Sequence, residues 1–166
     1  DDDLAGGFFA HVTSFAYGSA AMPESTYQRL QALMIRYQGA PQPMSTSLMS
    51  TEVAVGLSRY WPCEDQTVVG LPMPGAEFKL LPVGERFEIR VKSPGVSPGY
   101  INDPDRTVEA FDDEGFFKMG DAVTFADPDR PEAGLRFAGR IAEQFKLNSG
   151  TWVSAGTLRA KLIACC

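Results

Sequence analysis

Two short stretches place chemically capable side chains directly after glycines. In Phe116-Phe117-Lys118-Met119-Gly120-Asp121 a carboxylate follows Gly120; in the stretch opening Gly139-Arg140 a guanidinium follows Gly139, with Lys146 and Gly150 further on. A planar fork of N–H donors and an anionic acceptor can together grip a polyhydroxylated ligand such as ribose. The same two groups equally suit a surface ion pair between strand ends, an arrangement worth little. A third stretch, Met44-Ser45-Thr46-Ser47-Leu48-Met49-Ser50-Thr51-Glu52, is rich in hydroxyls and ends in an acid. Its Thr51 and Glu52 can supply a hydroxyl for a phosphate oxygen and a carboxylate for a magnesium ion. An exposed loop with a helix cap would use the same residues.

These side chains need elements to position them. Residues 12–17 read as a buried strand running into Gly18-Ser19-Ala20-Ala21, where small residues let a ligand or another backbone approach. A plain strand-to-helix turn needs the same residues. Residues 22–38 predict a helix: Pro23 suits its first position, Glu24 favours the positive end of its dipole, and Tyr27, Leu30, Leu33, Met34 and Tyr37 recur at helical spacing. Gly39, Pro41 and Pro43 stop it. Residues 44–52 are the hydroxyl-rich stretch, and a strand followed by a polar loop is the position where open α/β sheets place ligands. Beyond Pro62, prolines and glycines punctuate short strands at 67–69, 76–81, 87–91, 123–126 and 135–137, and Phe87-Glu88-Ile89-Arg90-Val91 alternates as a half-buried strand should. A short helix is expected within 102–111, with Pro104 near its start. The fold class is α+β: a strand-helix-strand piece of an α/β subdomain, then a small distorted antiparallel β-barrel.

Composition narrows the functions. With 166 residues, 44% hydrophobic and 22% charged, the chain is globular in character. A net charge of −6 argues against a duplex nucleic-acid partner. No apolar run approaches the roughly 20 residues that span a bilayer. The acidic start, Asp1-Asp2-Asp3, is the reverse of a secretory signal, and the expected address is cytoplasmic. Cys63, Cys165 and Cys166 form neither a C-x-x-C motif nor a disulfide framework, and the lone His11 has no catalytic partners in sequence. Both ends read as cut: an apolar run opens the chain, and a helix-like pattern ends it without a cap.

Taken in order, these segments resemble the adenylate-forming superfamily of acyl-CoA synthetases. Gly18-Ser19-Ala20 is similar to the family's G-G-A loop, and Ser50-Thr51-Glu52 falls where it has G-x-T-E. Val69-Gly70-Leu71-Pro72-Met73-Pro74-Gly75 resembles G-x-P-x-P-G. Gly99-Tyr100, Pro104, Thr107 and Ala110-Phe111 resemble G-Y-x-x-x-P-x-x-T-x-x-A-F. Gly120-Asp121 matches T-G-D, and Gly139-Arg140 through Lys146 and Gly150 resembles the hinge motif. Feruloyl-CoA synthetases share the F-K-L-x-x-G-T-W-V texture of Phe145 to Val153 and are the branch most resembled. The chain departs from the pattern at Met49 (usually glycine), Met119 (usually threonine) and Ala142 (often Asp or Lys at the hinge), and its Asn148-Ser149-Gly150 loop is one residue longer.

The resemblance implies an ATP-dependent ligase. It would activate an aromatic, hydroxycinnamate-like acid as acyl-AMP and pass it to coenzyme A, with Mg2+ as the metal. In this reading Asp121, Arg140 and Phe137 hold the adenosine beside Gly18, Ser19 and Ala20. Asp121 and Arg140 need not bond each other. Thr51 holds the α-phosphate, Glu52 the metal, and Lys146 approaches the acyl-adenylate. Tyr17, Leu48 and Met49 wall the acyl group. Residues 1–61 would end an N-terminal α/β subdomain, 62–138 form the barrel, and 139–166 hold the hinge and the start of a truncated C-terminal part. The family's phosphate loop and C-terminal lysine would lie outside the chain. The fragment alone is therefore expected to be inactive, and to self-associate through surface that its neighbours would cover. A non-catalytic β-barrel interaction module is the alternative.

Overall fold

The computed structural model describes residues 2–19, 22–54, 56–146 and 152–154, together with Leu158 and Leu162. An acidic first turn begins α1 (Asp2–His11), which the sequence did not announce as a helix because Gly6 and Gly7 interrupt it. β1 (Phe15–Tyr17) is shorter than the strand expected over 12–17. The anticipated helix is α2 (Glu24–Gln38). Its start corrects the expectation: Pro23 is extended, with φ −60° and ψ 138°, and stands just outside the helix. The Pro23 carbonyl accepts from the N–H groups of Thr26 and Tyr27.

The hydroxyl-rich stretch opens with a strand, β2 (Met44–Leu48), which completes the expected strand-helix-strand piece. In it Met44 and Thr46 point inward and are buried, while Ser45 Oγ donates to the Phe15 carbonyl. β3 (Leu57–Arg59), β4 (Val68–Pro72), β5 (Glu77–Val83), β6 (Arg86–Lys92), β7 (Phe117–Phe125) and β8 (Leu135–Arg140) follow. The short helix α3 (Pro104–Ala110) precedes β7, its first turn capped by Asp103, whose carboxylate accepts from the Arg106 N–H. β9 (Gln144–Lys146) and β10 (Trp152–Ser154) form a separate antiparallel pair.

β1 to β8 make one eight-stranded sheet in the order β1-β2-β3-β4-β8-β7-β6-β5. β1 and β2 are parallel, and α2 is their crossover; the remaining pairings are antiparallel. Among the described residues the strand order has two ends, β1 and β5, so pairing does not close a barrel over 62–138. The sheet also runs without a break across the boundary expected near residue 61.

Two cores support it. Phe9, Met34 and Met44 are buried between the helices and the parallel edge, with Phe9 stacked on Tyr37 at 5.4 Å. Val53, Leu57, Ile89, Val91, Phe117, Met119, Val123 and Leu135 fill the antiparallel half. Met119, the departure before Gly120-Asp121, is thus a core side chain. Gly70 marks a close approach: at φ +102° it lies where an added Cβ would come within 2.0 Å of the Ser58 carbonyl oxygen.

Candidate functional site

A bulge sets the centre of the site. β7 and β8 pair Asp121 with Arg140, then shift register before Val123 and Phe137. Gly120 and Gly139 take φ values of 72° and 93°. Each charged residue therefore follows a glycine because the backbone turns there through a region that other residues avoid. Arg140 Nη1 donates to Asp121 Oδ1 at 3.1 Å. The two groups do bond each other, so the ion-pair alternative describes their contact. They also share a cleft, so the contact leaves their ligand role open.

That cleft has a volume of about 360 Å3 and lies where the parallel edge meets the antiparallel half of the sheet. Tyr17, Gly18 and Ser19 line it from β1 and the turn after it. Leu48 and Met49 come from the end of β2, Asp121 from β7, and Phe137 and Arg140 from β8. Residues far apart in the chain and named from sequence thus share one cleft. Thr46, Ser47, Gln66, Thr67, Val69 and Glu143 also line it and were not named. Thr46 and Ser47 belong to the hydroxyl-rich stretch that drew notice. Gln66 and Thr67 had no sequence signal: they hold their places through the loop before β4.

Electrostatics divide the cleft. Asp121 is buried, and burial pushes its carboxyl above the ordinary 3.8, against the opposing pull of Arg140. The Arg140 side chain is half exposed. The result is a carboxylate acceptor in the floor and a guanidinium at the rim. Tyr17 is half-buried, and burial raises its phenol while the Arg59 guanidinium opposes the rise.

Thr51 and Glu52 do not line the cleft; they stand on the turn just beyond its Met49 rim. Thr51 is exposed. Glu52 Oε1 accepts from the Tyr100 hydroxyl at 2.8 Å, and that bond first of all holds the Glu52 carboxyl below its usual value. Among the described residues no group of three or more His, Cys, Asp or Glu side chains gathers to hold a metal. A single ionised carboxylate fits a magnesium ion that arrives with nucleotide phosphates and keeps its waters, rather than a resident metal. Lys146 is in β9, with its side chain outside the described residues, as is all of Ala20. His11 is exposed at the end of α1.

No family model matches the chain. Among curated proteins, long-chain-fatty-acid–CoA ligase 6 of Homo sapiens is 36% identical over 94 residues, covering 52% of this chain and 13% of the ligase. D-alanine–D-alanyl carrier protein ligase of Streptococcus pneumoniae is 42% identical over 75 residues, covering 43% of this chain and 14% of that protein. The chain therefore spans a small part of these relatives. Among solved structures, a malonyl-CoA ligase with methylmalonyl-CoA and AMP bound is 29% identical, with a TM-score of 0.65 over 98% of this chain and 34% of that one. The A domain of carboxylic acid reductase from Segniliparus rugosus, in complex with AMP and a co-purified carboxylic acid, gives 0.73 at 23% identity, over 93% of this chain and 23% of that one. The chain has the adenylation-domain fold. The two curated relatives are named as ligases, one joining a long-chain fatty acid to coenzyme A and the other D-alanine to its carrier protein.

Proposed function

We propose that this chain is the nucleotide- and acid-binding part of an ATP-dependent acid–thiol ligase whose acid is aromatic and hydroxycinnamate-like, as in feruloyl-CoA synthetases. One observation carries the reading: Tyr17, Leu48, Met49, Asp121, Phe137 and Arg140 converge on a single cleft. The acid's carboxylate attacks the α-phosphate of ATP and displaces pyrophosphate. The thiol of coenzyme A then attacks the acyl-adenylate and releases AMP. Such chemistry relies on positioning and charge stabilisation.

Asp121 accepts from the ribose hydroxyls, and Arg140, already turned toward it, donates to ribose or phosphate oxygens. Phe137 packs on the adenosine beside Gly18, Ser19 and Ala20. Tyr17, Leu48 and Met49 wall the acyl group. The phosphates lie past Met49, where Thr51 meets the α-phosphate and Glu52 holds the magnesium ion that neutralises phosphate charge. Lys146 reaches the acyl-adenylate from the hinge, whose residues 139–166 follow the parts at 1–61 and 62–138. A cytoplasmic address belongs to the same proposal, since ATP and coenzyme A are the co-substrates.

The test is carboxylate-dependent exchange of labelled pyrophosphate into ATP, by a protein carrying this chain together with the phosphate loop and C-terminal lysine. Exchange with ferulate or coumarate supports the full reading. Exchange with other acids alone removes the aromatic part, and no exchange with any acid removes the ligase. The 166-residue chain by itself is expected to bind AMP weakly without turnover.

A further inference from the structure

Arg59, at the end of β3, is 1% exposed. Among the described residues it has no carboxylate within ion-pair distance; the nearby Asp65 carboxylate is taken by Thr67 and Arg136. A buried cation without a counter-charge is expensive, so its presence needs a reason. Its hydrogen bonds supply one. Nη2 donates to the Tyr17 hydroxyl and to Gln66 Oε1, each at 3.0 Å, and Nη1 donates to the Asp65 carbonyl at 2.9 Å. Nε has no partner. The Tyr17 hydroxyl in turn donates to Gln66. Gln66 Nε2 donates to the carbonyls of Cys63 and Glu64.

Tyr17 and Gln66 both line the cleft, and their polar atoms are already engaged with the protein. The Tyr17 hydroxyl accepts from Arg59 and donates to Gln66. Gln66 Oε1 faces two donors, and its amide nitrogen serves two carbonyls. What remains of Tyr17 for a ligand is the ring.

We propose that Arg59 is the positioning residue of the acyl wall: from beneath the cleft it locks the Tyr17 ring and the Gln66 amide, so that the wall selects the acid by shape and not by hydrogen bonds. This deepens the ligase reading and rests on it for the identity of the ligand. The lock itself does not depend on that reading.

Two measurements test it. In the 166-residue chain labelled with 13C at tyrosine Cζ, Arg59→Lys keeps the charge and loses the fork. The Tyr17 resonance, assigned with Tyr17→Phe, is expected to move while those of Tyr27, Tyr37, Tyr60 and Tyr100 stay in place. An unmoved Tyr17 signal overturns the proposal. In the complete enzyme, Arg59→Lys is expected to raise the KM for the acid at least fivefold and to leave the KM for ATP within twofold. The double variant with Tyr17→Phe is expected to be no worse than the more impaired single variant. Equal rises in both KM values, or additive effects in the double variant, overturn it. If Arg59→Lys does not fold, Tyr17→Phe breaks the same contact from the other side, and an unchanged KM for the acid then counts against the proposal. A wild-type enzyme without pyrophosphate exchange would sink the ligase reading, and the resonance shift would still decide the lock.

Discussion

At the scale of single residues, Asp121 holds opposing demands. Burial raises its carboxyl above 3.8, with Arg140 pulling the other way. An acid whose folded-state value is raised takes up its proton in the folded state first. Its ionised form therefore costs stability at neutral pH, and that cost disappears as pH falls through the raised value. Asp121→Asn is accordingly expected to hold or raise the melting temperature at pH 7. The same change is expected to weaken AMP binding by about 2 kcal/mol, roughly 30-fold, the worth of hydrogen bonds to a charged acceptor. Calorimetric titration beside a thermal melt checks both; lower stability with unchanged affinity would make Asp121 merely structural. Asp121 and Arg140 were legible in sequence because each follows a glycine that the bulge requires. Arg59 was not. Between Ser58 and Tyr60 it reads as one more solvated charge, and burial of a lone guanidinium cannot be inferred from its neighbours in sequence.

Among the elements, the outer hairpin depends on Asp112 as a hub. Burial alone would push its carboxyl up, but the Phe116 N–H, the Lys79 ammonium, the Arg90 guanidinium and the Glu114 N–H together hold it far below the usual 3.8. A depressed folded-state value gives stability that is complete above about pH 5 and lost as pH falls through and below the ordinary value. Asp112→Asn is expected to lower the urea midpoint at pH 7 and to differ much less from the native chain at pH 2. An equal deficit at both pH values would assign the effect to packing. The β3–β4 crossing responds to bulk instead. Gly70→Ala drives a methyl into the Ser58 carbonyl at a positive φ and is expected to cost more than about 2 kcal/mol in denaturant unfolding. A loss under half that size would mean the crossing can relax. α2, β5, β6 and α3 were legible because periodicity, stop signals or a proline marked them. β2 was legible only as the strand that a strand-helix-strand piece requires, since its run of hydroxyls carries no alternation, and α1 was hidden by its paired glycines.

For the whole molecule, the parallel edge leaves apolar side chains uncovered. Leu4 is 75% exposed and Phe8 58%, on α1, while Ile101 and Val108 stand out at 93% and 76% near α3. Exposed apolar groups of this size favour association. The chain is expected to sediment with a mass that rises with concentration, and Leu4→Glu with Phe8→Glu to restore the single-chain mass. A concentration-independent single-chain mass in the native protein would remove this expectation. Sequence order suggested two units joined near residue 61, because the spacing of prolines and glycines changes there. It could not show that one sheet runs through both, since strand neighbours distant in sequence leave no local pattern. The sheet crosses residue 61 at the β3–β4 pairing, where Leu57 meets Pro72; the seam that spans the most chain is β4 with β8, where Val68 meets Arg136, and Arg136 also reaches Asp65 across 71 positions of chain. Closing so long a loop costs entropy before any contact repays it, so hairpins such as β5–β6 are expected to form first and this seam to close late. Tyr17, Leu48 and Met49 approach the cleft from one side of the seam, and Asp121, Phe137 and Arg140 from the other. The pocket needs both sides of the seam in place, so a nucleotide bound there would act as a clasp on the closed sheet.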